Sequence, residues 1–283
     1  MATPEVPIWA LVHLTHAALQ RTADRAGADV LHIKGPATRS SLRTGRHDSS
    51  DTDVLVRPAH LDRFLAALAA DGWTLFTGFE EGSPFGHAAN YTHPSWTYAD
   101  VHRKLPGPLL DADDVFDVLW RDREHAEIGH CRCTVPSLAG QVLVQTLHAA
   151  RSHGSEHADA WDLSAPEVQD DARALARELK AETPLAAAIG ELDAHRDAPD
   201  HALWEYWSSS ESDRLDEWAA RYRSAAGVAE RWGVLRQAMH VNRTHLRIRL
   251  GHEPTPFEVF REQCARIAHG AVSVLRRARG HRA

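Results

Sequence analysis

The segment Asp51-Thr52-Asp53-Val54-Leu55-Val56 sets two carboxylates two residues apart at the mouth of an apolar run. Side chains alternate across a strand, so residues i and i+2 share a face. Asp51 and Asp53 then point the same way, with roughly 7 Å between their Cα atoms. Two acids on one face can hold one or two hard divalent cations beside phosphate oxygens. Mg²⁺ in particular favours one or two carboxylates plus substrate phosphates over an all-protein cage. Upstream, Val30-Leu31-His32-Ile33-Lys34-Gly35 reads as a strand running into a glycine turn where phosphates could be received. Downstream, Trp96-Thr97-Tyr98-Ala99-Asp100-Val101-His102 puts Asp100 and His102 on one face by the same alternation. Asp100 can complete a carboxylate triad and act as base toward an acceptor hydroxyl.

The elements that must position these residues follow from pattern and punctuation. Apolar residues at Ile8, Leu11, Val12, Ala18 and Leu19 predict a helix from Ile8 to Arg25, stopped by Gly27. Val30–Lys34 and Thr52–Arg57 are strands, with a short helix after Pro36 and a loop over Arg43–Ser50 between them. Pro58 opens a helix carrying Leu61, Phe64, Leu65 and Leu68, which ends near Gly72. Trp73–Phe79, Tyr91–His93 and Trp96–His102 read as strands, Asp113–Trp120 as a helix, and Arg132–Val135 as a last strand. Beyond Pro136 the pattern is helical: Leu138–Ala150, Pro166–Lys180, Pro184–His195, Ala202–Trp207, Leu215–Tyr222, Val228–Leu250 and Phe257–Arg279. The expected fold class is α+β, a mixed sheet flanked by helices over residues 1–136, followed by an all-helical domain over 137–283.

Composition narrows the class. The apolar fraction of 43% is ample for a core. No apolar run approaches the ~20 residues that span a bilayer, so no membrane role is expected. Residues Met1–Pro7 lack a basic stretch followed by an apolar one, so no export signal is expected. Three cysteines make no disulfide framework and suit reduced thiols in the cytoplasm. His130-Cys131-Arg132-Cys133 lacks the second ligand pair of a zinc site and reads as strand. The net charge of −7 is unevenly spread. After Arg221, arginines crowd the sequence and acids thin out, which suits either a solvated helix face or a nucleic-acid contact surface. There is no Walker A sequence, no Rossmann glycine triplet and no serine nucleophile elbow.

An isolated Asp-x-Asp is common in loops and strand ends. Its order here carries more. Ile33-Lys34-Gly35, then Arg46, then Asp51-Thr52-Asp53-Val54-Leu55-Val56, then Asp100-Val101-His102 resembles the DNA polymerase beta-type nucleotidyltransferase superfamily. The nearest resemblance is to its bacterial branch of uncharacterised nucleotidyltransferases, over Ile8 to about Leu147. The resemblance implies Mg²⁺, with Mn²⁺ as a substitute, on Asp51, Asp53 and Asp100. It implies that Gly35 lets the backbone approach the β- and γ-phosphates of an NTP such as ATP. Lys34 and Arg46 would contact the phosphates, and His102 would sit in the nucleotide site, positioning Asp100 or the acceptor. This chain departs from the pattern at Pro36, which removes one backbone N–H, and at Thr52, where an apolar residue is usual.

The expected reaction is transfer of a nucleoside monophosphate from an NTP to an acceptor hydroxyl or phosphate, with release of pyrophosphate. The acceptor stays open: a small molecule, a peptide, or RNA held by the arginine-rich C-terminal helices, as in a toxin-like tRNA-modifying enzyme. A non-catalytic nucleotide-binding protein with a decayed site is the alternative from another class.

Overall fold

The computed structural model describes residues 6–44, 49–80, 85–151, 159–209, 214–225, 227–239, 241–266 and 268. Arg46 and the terminal arginines Arg276, Arg277, Arg279 and Arg282 lie outside the described residues. Residues through Ala150 and from Asp159 to Glu191 form one compact unit, and those from Leu192 onward a second.

The first unit opens with helix α1 (Ile8–Ala26), closed by Gly27 in a left-handed conformation. Strands β1 (Val30–Ile33) and β2 (Asp51–Val56) follow, then α2 (Leu61–Ala70) and strands β3 (Thr74–Thr77), β4 (Ala88–Thr92) and β5 (Tyr98–His102). They build one mixed sheet in the order β1-β2-β5-β4-β3. β2 and β5 run parallel; the other three pairings are antiparallel. Next come α3 (Ala112–Arg121), the hairpin β6 (Glu124–Ile128) and β7 (Cys131–Val135), and α4 (Leu138–Ala149), α5 (Asp159–Asp162), α6 (Pro166–Glu178) and α7 (Glu182–Ala188).

Alternation along the strands sorts side chains between two cores. Val30, Val54, Val56, Ala99 and Val101 pack with Leu19, Phe64 and Leu68 of α1 and α2. Leu31, Ile33 and Leu55 face the other way and pack with Phe116, Leu143, Leu147, Ala172 and Ala176 of α3, α4 and α6. Helices therefore cover both faces of the sheet, as expected for the mixed α+β class. The division between units differs from the expected boundary at Pro136. The physical reason is that second cluster: α4 and α6 supply the wall that Leu31, Ile33 and Leu55 need, so they fold with the sheet.

Other elements differ locally. Glu124–Ile128 is a strand where none was expected. It pairs with β7 through a turn at Gly129 and His130, both at positive φ. The expected helix Pro184–His195 ends at Ala188 and gives way to a 3₁₀ turn at Leu192–His195, with Gly190 left-handed between them. The second unit contains α8 (His201–Ser208), α9 (Arg214–Ser224), α10 (Val228–Met239) and α11 (Arg243–Leu250), and residues 256–266 are helical. The expected single helix Val228–Leu250 is thus two. Asn242 caps the second by accepting the His245 N–H at 2.7 Å. No helix among the described residues is long and apolar enough to cross a membrane.

Candidate active site

Register brings Asp53 and Asp100 together and sets Asp51 beside them. Asp53 of β2 stands opposite Asp100 of the parallel neighbour β5, and Asp51 lies one pleat away on the same strand. Leu55, on the same face as Asp53, begins the core beneath. Asp53 is almost fully enclosed, while Asp51 and Asp100 are half-buried. One ligand atom each from Asp53, Asp100 and His102 lie within 4.8 Å of one another.

Each acid has its own support. Lys34 Nζ donates to Asp53 Oδ1. His102 Nε2 donates to the same oxygen at 2.8 Å. Asn90, opposite Asp100 in the antiparallel β4–β5 pairing, donates its side-chain amide to Asp100. Its own oxygen accepts from Thr77 Oγ1. Ser49 Oγ donates to Asp51, with its backbone oxygen and Oδ1 each at 2.8 Å. His102, expected beside the nucleotide or Asp100, is therefore bonded to Asp53. Its neighbour His87 lies with ring centroids 5.1 Å apart.

Electrostatics follow from this arrangement. Burial alone would raise the Asp53 carboxyl. The Lys34 charge and the bond from His102 outweigh it and hold Asp53 well below the usual carboxylate range. Asp100 goes the other way. Burial first, then the charges of Asp53 and Asp51, push it up to about 7 against the smaller pull of Lys34 and Asn90. Lys34 bonds Asp53 and acts on Asp100. The acids offer hard oxygens, and His102, grouped with Asp53 and Asp100, is already bonded to Asp53. That set fits a hard divalent cation such as Mg²⁺ or Mn²⁺ rather than a thiolate- or imidazole-seeking metal.

The Lys34-Gly35 turn sits at the exit of β1. Lys34 adopts φ 63°, ψ 179°, a region otherwise nearly reserved for glycine, at a cost of about 1–3 kcal/mol. Gly35 follows at φ +49°, and a Cβ there would come within 3.3 Å of Ser49 Cβ. The Ser49 side chain is thus packed against the turn where a side chain at residue 35 would have to go. Gly35–Ala37 forms a 3₁₀ turn with Pro36 inside it, the short helix expected there. The spacing of acids announced Asp51, Asp53 and Asp100. Nothing in the sequence singled out Ser49 or Asn90; Asn90 is placed only by the register of β4.

The family model described as "Uncharacterised nucleotidyltransferase" matches residues 11–191. No curated protein matches the sequence. Solved structures with a similar course of chain include the antibiotic-resistance factor ANT(2'')-Ia, at 11% identity and TM-score 0.38, covering 68% of this chain and 97% of that one. The lincosamide antibiotic adenylyltransferase LnuA, solved with lincomycin, is 12% identical at TM-score 0.34, covering 60% and 96%. A nucleotidyltransferase-like protein from Paracoccidioides brasiliensis is 13% identical at TM-score 0.35, covering 66% and 88%. Scores at this level carry no argument about acceptor or mechanism. The family match takes in more than half of the sequence, including the whole sheet and every residue of the acidic cluster: the chain belongs to the family of uncharacterised nucleotidyltransferases.

Proposed function

We propose that this nucleotidyltransferase moves a nucleoside monophosphate from an NTP to an acceptor and releases pyrophosphate, with Mg²⁺ or Mn²⁺ held by Asp51, Asp53 and Asp100. The observation that supports it most is the alignment of Asp53 with Asp100 across the parallel β2–β5 ladder, with Asp51 on the same face of β2.

A divalent cation bound there would polarise the phosphate oxygens and offset the charge that develops on them during transfer. The chain's own residues divide the remaining work. Gly35, at positive φ, makes the turn at the exit of β1 where the phosphates would be received. Lys34 supplies the positive charge nearest Asp53 and is the side chain placed to turn toward the leaving pyrophosphate; Arg46 is the second phosphate contact. His102 orients Asp53, and Asn90 orients Asp100. Asp100, which neither Lys34 nor His102 bonds, is the carboxylate placed to take the acceptor's proton. Catalysis of this kind rests on positioning and electrostatic stabilisation, with no covalent intermediate on the protein.

For the acceptor, a small molecule or peptide is the better-supported class. Of the arginines that suggested RNA, Arg247 and Arg249 are bonded to Glu253 and Glu262, and Arg221 to Glu217. RNA binding that weakens steeply with salt would favour the tRNA-modifying reading instead.

The test is calorimetry with each NTP and Mg²⁺, followed by pyrophosphate release over a panel of acceptors. The wild type should bind an NTP only with the cation, and Asp51→Asn and Asp53→Asn should lose that binding with unchanged circular dichroism. Undiminished cation-dependent binding in both variants would sink the assignment. Binding without release over any acceptor would indicate the non-catalytic alternative.

A further inference from the structure

A chain of buried polar groups runs from α1 to the Gly35 turn, and its protons can be placed one by one. The backbone N–H of Thr134 donates to Gln20 Oε1 at 3.0 Å, which fixes that atom as the amide oxygen. His32 Nε2 meets the same oxygen at 3.2 Å. An oxygen that only accepts requires His32 to carry its proton on Nε2. His32 is fully buried, and burial first, then His16, drive its proton affinity down, so the ring is neutral and Nδ1 is bare. His16 Nδ1 lies 2.7 Å from that bare nitrogen and must supply the hydrogen. His16 is buried and neutral in turn, so its Nε2 carries a lone pair and no proton.

That last nitrogen is buried without a hydrogen-bond partner. An acceptor left so is destabilising until something donates to it. It lies 4.0 Å from where a Gly35 Cβ would be, and Ser49 Oγ lies 3.7 Å from that same point. Ser49 is bonded to Asp51, and the charge of Asp53 reaches the His16 ring. The locked acceptor therefore lies near Gly35 and Ser49, the residue that bonds Asp51.

Three functions compete for such a group. A proton relay is excluded by Gln20, because an amide interrupts any path through which a proton could pass. Direct contact with phosphate is disfavoured, because a bare nitrogen and an ionised phosphate oxygen both accept. What remains is an O–H donor arriving with the ligand. Mg²⁺ dehydrates reluctantly and keeps several waters when bound by one or two carboxylates. We infer that His16 is a positioning residue for the cation: its locked Nε2 accepts a hydrogen from a water on the divalent ion at Asp51 and Asp53. This rests on the cation assignment proposed above. It adds an outer partner from α1, an element not otherwise part of the site.

The test uses the full chain with histidine ¹⁵N labels and Mg²⁺ alone, without nucleotide. In the free protein, His16 should show a protonated Nδ1 and an unprotonated Nε2. Added Mg²⁺ should shift Nε2 in the direction of an accepted hydrogen bond while Nδ1 stays protonated. His16→Asn keeps an amide donor where Nδ1 stood, and so keeps the bond to His32, but removes the Nε2 acceptor. It should weaken Mg²⁺ binding about 10–100-fold, the usual loss for an outer partner of a metal. Asp53→Asn is the control that removes the cation itself. A protonated Nε2 in the free protein overturns the inference. So does Mg²⁺ binding that Asp53→Asn abolishes but that neither moves the Nε2 signal nor weakens in His16→Asn; that result leaves the cation assignment standing. A wild type that binds no Mg²⁺ overturns both. An Nε2 shift that disappears in Ser49→Ala gives the donor role to the serine hydroxyl and overturns the water.

Discussion

Lys34 and His102 bond the same carboxylate oxygen of Asp53, one from the exit of β1 and one from the end of β5. An oxygen so engaged carries its charge in the interior without an ion. A divalent cation bound as proposed would have to compete with the ammonium of Lys34 for Asp53.

Lys34→Met removes one competitor. Taking one partner from a buried ion pair costs about 3–5 kcal/mol, less whatever His102 still supplies. The ligand-free variant should melt below the wild type, and saturating Mg²⁺ should raise its melting temperature by more than it raises the wild type's. Thermal scans with EDTA and with Mg²⁺ read both quantities. An equal cation effect in the two proteins would mean that Lys34 does not compete.

The His16–His32 pair makes stability depend on acid. Burial, partly offset by the Asp53 charge, lowers His16 to about 3 from its ordinary value of 6.5, and burial lowers His32 as well. Both folded values lie below the unfolded ones, so the unfolded chain binds more protons between them. Stability is complete above about pH 6.5 and is lost as pH falls from there toward 3, by about 1.4 kcal/mol per pH unit for each histidine. Denaturant melts at pH 7 and pH 5 should show a steeper loss in the wild type than in His32→Asn. Equal slopes would contradict the neutral pair.

Gly129 ties the β6–β7 hairpin to α1. It has φ +57°, and a Cβ there would come within 2.5 Å of the His13 carbonyl oxygen. Backbone against backbone leaves no flexible atom to yield. Gly129→Ala should cost more than the roughly 1–2 kcal/mol of a left-handed alanine alone. Denaturant titration measures it, and a loss under about 1 kcal/mol would show that the hairpin shifts freely on α1.

Much of this was legible in the sequence, and the misses have physical causes. Asp51-Thr52-Asp53 leading into Val-Leu-Val betrays both strand and face, because alternation is local. Glu124–Ile128 escaped because its strand is half-exposed and largely polar; the positive-φ pair Gly129-His130 was the available sign. Asn242 was an overlooked cap inside an apolar helical pattern. The Lys34–Asp53 and His16–His32 bonds join residues 19 and 16 positions apart and exist only once the sheet and α1 are assembled. The place of α4 and α6 was hidden for a similar reason: an apolar helix face announces that it needs a partner, not which one.

The opposition of Asp53 and Asp100 has a consequence for how the molecule reaches its native state. The two acids lie 47 positions apart in the sequence, farther than one local helix or hairpin could unite; they meet only when β2 and β5 close as parallel neighbours. A slip of one residue would turn Asp51 and Asp53 to the opposite face. A cation that needs both strands therefore binds only the correctly threaded sheet, and adds RT ln(1 + [L]/Kd) to that state alone. The cofactor would act as an inspector of assembly, rewarding the one register in which chemistry is possible.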